Sequence, residues 1–187
     1  VPFGSPSILC DPNIEKSNNK NFKVLFVGSM TQRKGLADLF EAMKILKNEP
    51  IDLSILGQNA MPMDFYRNEY PDFTYYPTRS NKEVQKVMQL HDILVLPSIV
   101  EGRALVQQEA LACGLPIIIT PNTGGEDLVD DGITGSVVPI RNPTKTAESI
   151  FAFYEKKITQ EMRKMCILKA AKYRWSDYAK KILEFSS

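Results

Sequence analysis

The amino-acid sequence predicts an α/β fold, in which a doubly wound parallel sheet of about six strands carries helices on both faces. Short apolar runs that predict strands alternate with longer amphipathic runs that predict helices. The strand segments are apolar at nearly every position, which is typical of parallel strands buried on both faces. With 187 residues, 43% of them apolar, the chain is long enough for one domain with one sizeable core.

The first half of the chain contains three predicted strands, KVLFVG, IDLSILG and DFTYYP. A helix after the first strand is predicted from apolar residues at helical spacing: Leu36, Leu39, Phe40, Met43 and Leu46. Another helix is predicted to begin at Asn81, a residue type that often caps helices, and to continue through His91. The segment 1–21 is rich in Pro, Asn and Ser, and is predicted to be a linker or surface crossing.

The second half contains three further predicted strands, DILVLPS, LPIIIT and GSVVPI. The helix between the first two is expected to begin near Ala104 or Leu105. Three more helical stretches are expected to complete the chain, at 144–155, 159–173 and 176–185. The sequence therefore predicts strands and helices in regular alternation up to the sixth strand.

Charge and cysteine content argue against several classes of protein. The 23 basic and 22 acidic residues leave a formal net charge of +1, which gives no general attraction for nucleic acid or an anionic membrane. Cys10, Cys113 and Cys166 form no metal-type pair, and their odd number predicts reduced thiols in a cytoplasmic protein. No apolar run approaches the roughly 18 residues that span a bilayer, and no signal peptide is visible. The start at Val1 suggests a piece of a longer protein.

Two glutamates, Glu101 and Glu109, lie eight positions apart in the segment IVEGRALVQQEALACG, directly after the strand DILVLPS. Ligands of parallel sheets bind beyond the carboxyl ends of the strands, and the start of the following helix attracts phosphate. Eight positions span roughly 12 Å of helix, which suits a nucleotide-sugar with a central diphosphate and a hydroxyl-rich ring at each end. On spacing alone the simpler interpretation is favoured, in which Glu109 is a solvated helix residue and Glu101 a loop acid.

Four segments together resemble a known family: VLFVGSMTQRKGLADLFEAM, LSILG, the run from DILVLPS to GGEDLVDDGITG, and YRWSDYAKKIL. The resemblance covers 23–185 and is to the C-terminal, donor-binding half of GT-B glycosyltransferases, specifically family 4 (glycosyl transferases group 1). The glutamate pair matches the E-x7-E motif of that family. The resemblance implies a Rossmann-like nucleotide-sugar-binding domain at 22–187, an interdomain crossover at 1–21 and an absent N-terminal acceptor domain.

The resemblance also implies roles for individual residues. Glu109 would bind the ribose hydroxyls, and Glu101 would face the transferred sugar near its reaction centre. Backbone amides around Leu105 and Val106 would hold the diphosphate. Lys34 matches the phosphate lysine of the family and would neutralise charge on the departing nucleotide. Without the family, Lys34 would be interpreted as a solvated charge near the start of a helix.

Further donor-binding residues are expected after the first and third strands. The family often has arginine directly after the glycine that ends the first strand, whereas here Ser29 follows Gly28. Arg33 is the candidate to replace that cation. Tyr76 and Thr78 belong to the loop YPTR, which falls where the family contacts the nucleobase. A simple proline turn is an equally good interpretation of that loop.

The segment Glu101-Gly102-Arg103-Ala104 departs from the E-G-F-G that is common in the family. The second glycine helps the backbone approach the sugar, and Ala104 adds only a methyl group there. Arg103 replaces an aromatic residue and could contact an anionic sugar or acceptor, or simply face water. These departures put the donor type and the catalytic activity in question more than the fold.

Three other features are given structural interpretations. His91, the single histidine, sits beside Asp92 at a helix–strand junction and is interpreted as structural, since the catalytic-region histidine of the family belongs to the absent half. The pair Gly124-Gly125 is interpreted as a turn ahead of a short helix, in a loop that borders the donor in the family. Trp175 is expected to be a packing anchor on the C-terminal helix.

The expected function is that of the donor-binding domain of a metal-independent, retaining glycosyltransferase, which moves a sugar from a nucleotide-diphosphate sugar to an acceptor hydroxyl. No cofactor and no metal site are expected, since the chain has neither an Asp-x-Asp sequence nor a Cys/His cluster. The acceptor, a glycan or a lipid-linked molecule, would bind mainly to the absent domain. Peripheral membrane association of the full-length protein, a role in polysaccharide biosynthesis and no nucleic-acid partner are expected.

Two other functions stay open at this stage. A non-catalytic nucleotide-binding or regulatory module could keep the same fold, and the altered G-R-A sequence permits it. A nucleotide-sugar epimerase shares the two-domain plan, although the glutamate-pair segment matches the transferases better. The chain by itself is expected to bind donor but to turn over poorly or not at all.

Overall fold

The computed structural model of the chain describes residues 4–5 and 21–185. Its sheet has six strands, all paired in parallel: β1 (Phe22–Val27), β2 (Ile51–Leu56), β3 (Phe73–Tyr76), β4 (Ile93–Leu96), β5 (Ile117–Ile119) and β6 (Gly135–Val137). The strand order is β3-β2-β1-β4-β5-β6. The predicted doubly wound sheet is confirmed. The linker predicted at 1–21 lies outside the described residues except at residues 4, 5 and 21.

Helices cover both faces of the sheet: α1 (Leu36–Ile45), α2 (Met63–Glu69), α3 (Asn81–Gln89), α4 (Leu105–Ala112), α5 (Pro143–Lys156), α6 (Gln160–Ala170) and α7 (Trp175–Phe185). The largest helix–helix contacts are α1 with α5 and α4 with α6. Short 3-10 turns lie at Gln32–Lys34, Pro121–Thr123 and Glu126–Leu128, and the last is the short helix expected after the glycine pair. In the described part of the chain, none of the helices combines the length and apolar character needed to cross a membrane.

The apolar strands form the core because helices lie against both of their faces. Every residue of β4 and β5 is buried, and in β1 the side chains of Val24, Leu25 and Phe26 are fully excluded from solvent. The strand order reverses between β1 and β4, so the connections after these two strands leave toward opposite faces. This reversal opens a crevice at the carboxyl edge of the sheet, which positions the candidate site.

Helix α2 is absent from the sequence predictions. It has seven residues, of which only Tyr66 is buried, so it lacks the apolar stripe that identifies a helix in a sequence. Its anchor is a long-range contact: the Tyr66 hydroxyl donates to the Met30 carbonyl oxygen at 2.7 Å and accepts from the amides of Ala60 and Met61, both at 3.0 Å. Tertiary hydrogen bonds therefore hold this helix in place.

The predicted cap of α3 is wrong by one position. Ser80, and not Asn81, is the N-cap, because Ser80 has an extended backbone and Asn81 is already helical. A capping box forms with Glu83, whose Oε2 accepts from the Ser80 backbone amide at 3.1 Å and from its hydroxyl at 2.7 Å. The helix therefore starts at the position expected but is capped by the residue before it.

The residues given structural interpretations occupy packed positions. His91 is 2% exposed, with Nδ1 2.7 Å from the Val87 carbonyl oxygen. Cys113 and Cys166 are buried, whereas Cys10 lies outside the described residues. Trp175 begins α7 and lies directly against Gly4, although 48% of the residue stays exposed.

Candidate functional site

A cavity of about 400 Å³ opens at the carboxyl edge of the sheet, beside the reversal of strand order, and its size is typical of small-ligand pockets. Its walls are the loops after β1, β2 and β3 and the first turns of α3 and α4. Seven residues predicted to contact the donor line it: Gly28, Ser29, Lys34, Thr78, Leu105, Val106 and Glu109. Three others do not: Arg33, Glu101 and Tyr76. The binding role of each stays a prediction.

The turn after β1 lies directly against the end of β4. This 3-10 turn ends at Gly35, whose φ of 71° is in the left-handed region. A Cβ at Gly35 would collide with the Pro97 carbonyl oxygen, so glycine permits the close approach. The Ile99 amide then donates to the Arg33 carbonyl oxygen at 2.9 Å. The two sides of the crevice are thereby joined through backbone atoms.

Glu101 accepts hydrogen bonds from two cations of that turn. Lys34 Nζ donates to Glu101 Oε2, and Arg33 Nη1 donates to Glu101 Oε1 at 3.0 Å. The side chains of Lys34 and Glu101 are 14% and 12% exposed, so water screens this pair weakly, whereas that of Arg33 is 54% exposed. Glu101 therefore reaches the cavity only through Lys34, and the three side chains carry one net positive charge.

The first turn of α4 presents unpaired amides to the cavity. In the described residues, no acceptor binds the amides of Leu105 and Val106, and both residues line the cavity. The N-cap is Ala104, which has no side-chain oxygen to compete for these donors, and the first turn carries no acidic residue. The positive end of the helix dipole is thus left available to an anion.

Glu109 lies one turn further along α4 and lines the same cavity. No hydrogen bond or ion pair to its carboxylate is found among the described residues, and burial raises its pKa above the ordinary value. A half-buried carboxylate without a cation is stabilised by hydroxyl or amide donors that enter the cavity with a ligand. This environment differs from the solvated helix position that spacing alone favours.

The other end of the cavity is formed by Thr78, Arg79 and the start of α3. Tyr76 does not line the cavity, and its ring lies edge-on to His91 with centroids 6.5 Å apart. Gln58 lines the cavity and is absent from the sequence predictions. Its signal is positional, since Gln58 directly follows the glycine that terminates a strand, as Ser29 does one strand away.

Arg103 neither faces water nor enters the cavity. Its guanidinium makes two hydrogen bonds of 3.0 Å to the carboxylate of Asp127 and one of 2.9 Å to the Gly124 carbonyl oxygen. The side chain is 17% exposed. The departure from the aromatic residue of the family therefore produces an internal contact.

Solved structures share this fold at low sequence identity. Sucrose-phosphate synthase from Thermosynechococcus elongatus superposes with a TM-score of 0.77 at 21% identity, over 90% of this chain and 45% of that chain. Anabaena HepE in complex with UDP-glucose gives a TM-score of 0.75 at 18% identity, over 89% of this chain and 48% of that chain. The Rossmann-like fold is therefore that of one half of a GT-B glycosyltransferase.

The family follows from sequence comparison. Residues 10–173 match the family model of glycosyl transferases group 1, and the chain belongs to this family. D-inositol 3-phosphate glycosyltransferase from Paenarthrobacter aurescens is 28% identical over 176 residues, which is 88% of this chain and 43% of that protein. Capsular polysaccharide biosynthesis glycosyltransferase CapM from Staphylococcus aureus is 28% identical over 141 residues, which is 71% of this chain and 36% of that protein. The chain thus spans less than half the length of these relatives, and its assignment to family 4 stays a prediction.

Glu109→Gln should raise the thermal unfolding midpoint of the ligand-free chain at about pH 7.5 and leave it unchanged near pH 4. Burial raises the pKa of Glu109 in the folded state above its ordinary value of 4.5, so folding stability falls as the pH rises from the unfolded pKa through the folded pKa. The amide removes this loss. Exposed Glu155→Gln is the control and should shift the midpoint little at either pH. An equal gain for Glu109→Gln at both pH values would contradict the burial argument.

Proposed function

We propose that this chain is the donor-binding half of a glycosyltransferase, which transfers a sugar from a nucleotide-diphosphate sugar to an acceptor hydroxyl with retention of anomeric configuration. One observation carries the proposal: a single cavity gathers Lys34, the open amides of α4 and the half-buried carboxylate of Glu109. A nucleoside diphosphate has matching groups, with anionic oxygens beside ribose hydroxyls. Solved structures of the same fold are described in complex with UDP-glucose, and with UDP and GlcNAc.

The diphosphate is assigned to the start of α4. The amides of Leu105 and Val106 donate to its oxygens, and the helix dipole adds positive potential. Lys34 approaches from the opposite wall, where its ammonium neutralises the charge that develops on the departing nucleotide. Arg33 adds a second cation at the edge of the cavity. These positive groups support donor binding without a divalent metal or any other cofactor.

The two ends of the donor are assigned to the two glutamates and the loop after β3. Glu109 accepts the ribose hydroxyls, and Thr78 contributes to the nucleobase end of the cavity. Glu101 faces the transferred sugar, with its carboxylate oriented by Lys34 and Arg33. Gly28 and Ser29 line the cavity at the end of β1 and are assigned to the donor there.

The acceptor is assigned to the rest of the full-length protein. One relative is a capsular polysaccharide biosynthesis glycosyltransferase, which favours a glycan or a lipid-linked acceptor. We infer a cytoplasmic protein that acts in polysaccharide biosynthesis and can associate peripherally with a membrane. The cytoplasmic location is inferred from the thiol content and the role in polysaccharide biosynthesis from the capsular relative, whereas membrane association is assigned to the rest of the full-length protein.

The deciding experiment measures nucleotide release by the full-length protein, with and without acceptor. A transferase releases nucleoside diphosphate only when acceptor is present, and the anomeric configuration of the product reports retention. A binding module releases none, and an epimerase converts the donor sugar without acceptor. Turnover that persists in a chelator supports metal independence, whereas turnover that the chelator abolishes and a divalent metal restores would refute it.

Lys34→Met should weaken binding of a nucleoside diphosphate by about 1.5–3 kcal/mol and leave nucleoside binding nearly unchanged, because the ammonium makes a charge-assisted contact with phosphate only. Titration calorimetry with the two ligands measures the difference. Lys44→Met is the control, since Lys44 pairs with Glu41 on the solvent side of α1 and is absent from the cavity lining. Equal losses for the two ligands would mean that Lys34 does not touch the diphosphate.

Glu109→Gln should weaken binding of a ribonucleotide more than binding of its 2′,3′-dideoxy analogue. The carboxylate accepts from both ribose hydroxyls, whereas an amide accepts less well and presents N–H groups instead. Calorimetry on the variant and the unaltered chain gives the four affinities. If the variant weakens both ligands alike, the ribose assignment fails and Glu109 acts through the shape of the cavity.

A further inference from the structure

Arg103 joins two segments that border the proposed reaction centre. The glutamate loop, defined as residues 98–104, follows β4 and carries Glu101; the return segment, defined as residues 120–128, follows β5. From the glutamate loop, Arg103 Nη1 donates to the Gly124 carbonyl oxygen at 2.9 Å. Nη1 and Nη2 also bind the two oxygens of Asp127, each at 3.0 Å. Both terminal nitrogens of the guanidinium are therefore committed to the return segment.

Tyr173 completes the cluster from beyond α6. Its ring lies 5.3 Å from the Arg103 guanidinium carbon, and its hydroxyl donates to Asp127 Oδ2 at 2.6 Å. Burial opposes ionisation of Asp127, but the hydrogen bonds from Arg103 and Tyr173 outweigh it and lower the pKa of this carboxyl. Burial and the bond to Asp127 raise the pKa of Tyr173 to about 12. Asp127 is thus favoured in its charged form, which the Arg103 guanidinium binds.

Backbone hydrogen bonds run parallel to this cluster. The Glu101 amide donates to the Asn122 carbonyl oxygen at 2.9 Å, and the Ala104 amide donates to the Thr123 carbonyl oxygen at 3.3 Å. A Cβ at Gly124 would collide with the carbonyl oxygen of Gly102, so the two segments are in direct backbone contact. These bonds form only while the glutamate loop stays seated on the return segment.

We propose that Arg103 is a positioning residue, which holds the glutamate loop on the return segment so that Glu101 stays aligned with Lys34 at the edge of the cavity. Arg103 acts through Asp127 and is not assigned any contact with the donor, since it is absent from the cavity lining. The predicted effect of Arg103 on sugar transfer rests on the proposed function, whereas its predicted effect on the position of the glutamate loop is independent of that function.

A lysine cannot perform this role, because it is a point charge without the planar fork that binds two carboxylate oxygens and a carbonyl oxygen together. The geometry also separates Arg103 from the ordinary surface arginines of this chain. Among the described residues no partner binds its buried Nε, whereas both terminal nitrogens bind the return segment.

The test compares Arg103→Met, Arg103→Lys, Asp127→Asn and the Arg103→Met/Asp127→Asn double variant in the full-length protein. Arg163→Met is the matched control. The Arg163 side chain is 16% exposed, pairs with Asp92 and donates to the Gly114 carbonyl oxygen, which lies beyond the C-terminal end of α4. The hydrogen-exchange rates of the Glu101 and Ala104 backbone amides are compared between variants. Small additions of denaturant to the more stable variants give all of them the same free energy of unfolding.

Arg103→Met should speed exchange of these two amides at least about fivefold, because the glutamate loop separates from the return segment more often. Asp127→Asn and Arg103→Lys should speed it by a similar factor, and the double variant should be no faster than Arg103→Met, as expected of two groups acting through one contact. Arg163→Met should leave these amides as they are in the unaltered protein. Unchanged exchange in Arg103→Met would overturn the proposal.

Kinetics supply the functional readout. Arg103→Met should lower kcat about 10- to 100-fold through misplacement of Glu101, with the donor KM changed by less than about threefold. An equal loss in Arg163→Met, or a loss confined to donor KM, would refute positioning and indicate general destabilisation or direct donor contact. If the unaltered protein shows no transferase activity, the proposed function fails, while the exchange data still decide whether Arg103 seats the loop.

Discussion

The contact between the turn after β1 and the loop after β4 is the constraint on which the candidate site depends. Reversal of strand order sends these two connections to opposite faces of the sheet, which would separate them if nothing joined their starting points. Gly35 allows the turn to touch Pro97, and the Ile99 amide binds the Arg33 carbonyl oxygen. Only with the backbones joined in this way can Lys34 and Glu101 pair across the crevice.

The charged groups of the site leave an excess of positive charge near Glu101 and the start of α4, which suits an anionic ligand. Two cations and one carboxylate occupy the crevice at Glu101, and the free amides of α4 add partial positive charge beside them. In the part of the chain that the structure describes, no cation compensates the charge of Glu109, and burial raises its pKa. An uncompensated half-buried carboxylate costs stability in the ligand-free chain and gains donors when hydroxyls arrive, which is a common exchange of stability for binding.

Arg103 illustrates how a departure from a family pattern can be internal to the fold. In the sequence it is a cation two residues after a proposed reactive glutamate, which leaves contact with an anionic sugar or acceptor and exposure to water as alternatives. In the structure it is turned toward Asp127 and Gly124, and Tyr173 packs on its guanidinium. The loop therefore reaches the crevice with both terminal nitrogens of its arginine bonded to the return segment, and Ala104 is the residue of this loop that lines the cavity.

The sequence by itself determined the sheet, the order of its elements and the family, because these depend on local and repeated signals. Apolar runs predict all six strands, and the E-x7-E pattern with its surrounding motifs identifies the helix that lines the cavity. Spacing alone favoured a solvated Glu109, and the resemblance to the family, not the spacing, assigned this residue to the ligand. The motif signals are strong because several residue types must occur in one order.

Only the tertiary structure decided which side chains meet, because those contacts join residues far apart in the chain. The Lys34–Glu101 pair spans 67 positions, and the Tyr66 bond that anchors α2 spans 36. Tyr76 ends β3 and Thr78 follows two residues later, yet only Thr78 lines the cavity, and the ring of Tyr76 lies edge-on to His91. The direction taken by Arg103 depends on Asp127 and Tyr173, which reach it from beyond β5 and α6. Side-chain direction at a loop is set by such distant partners, and neither composition nor periodicity encodes them.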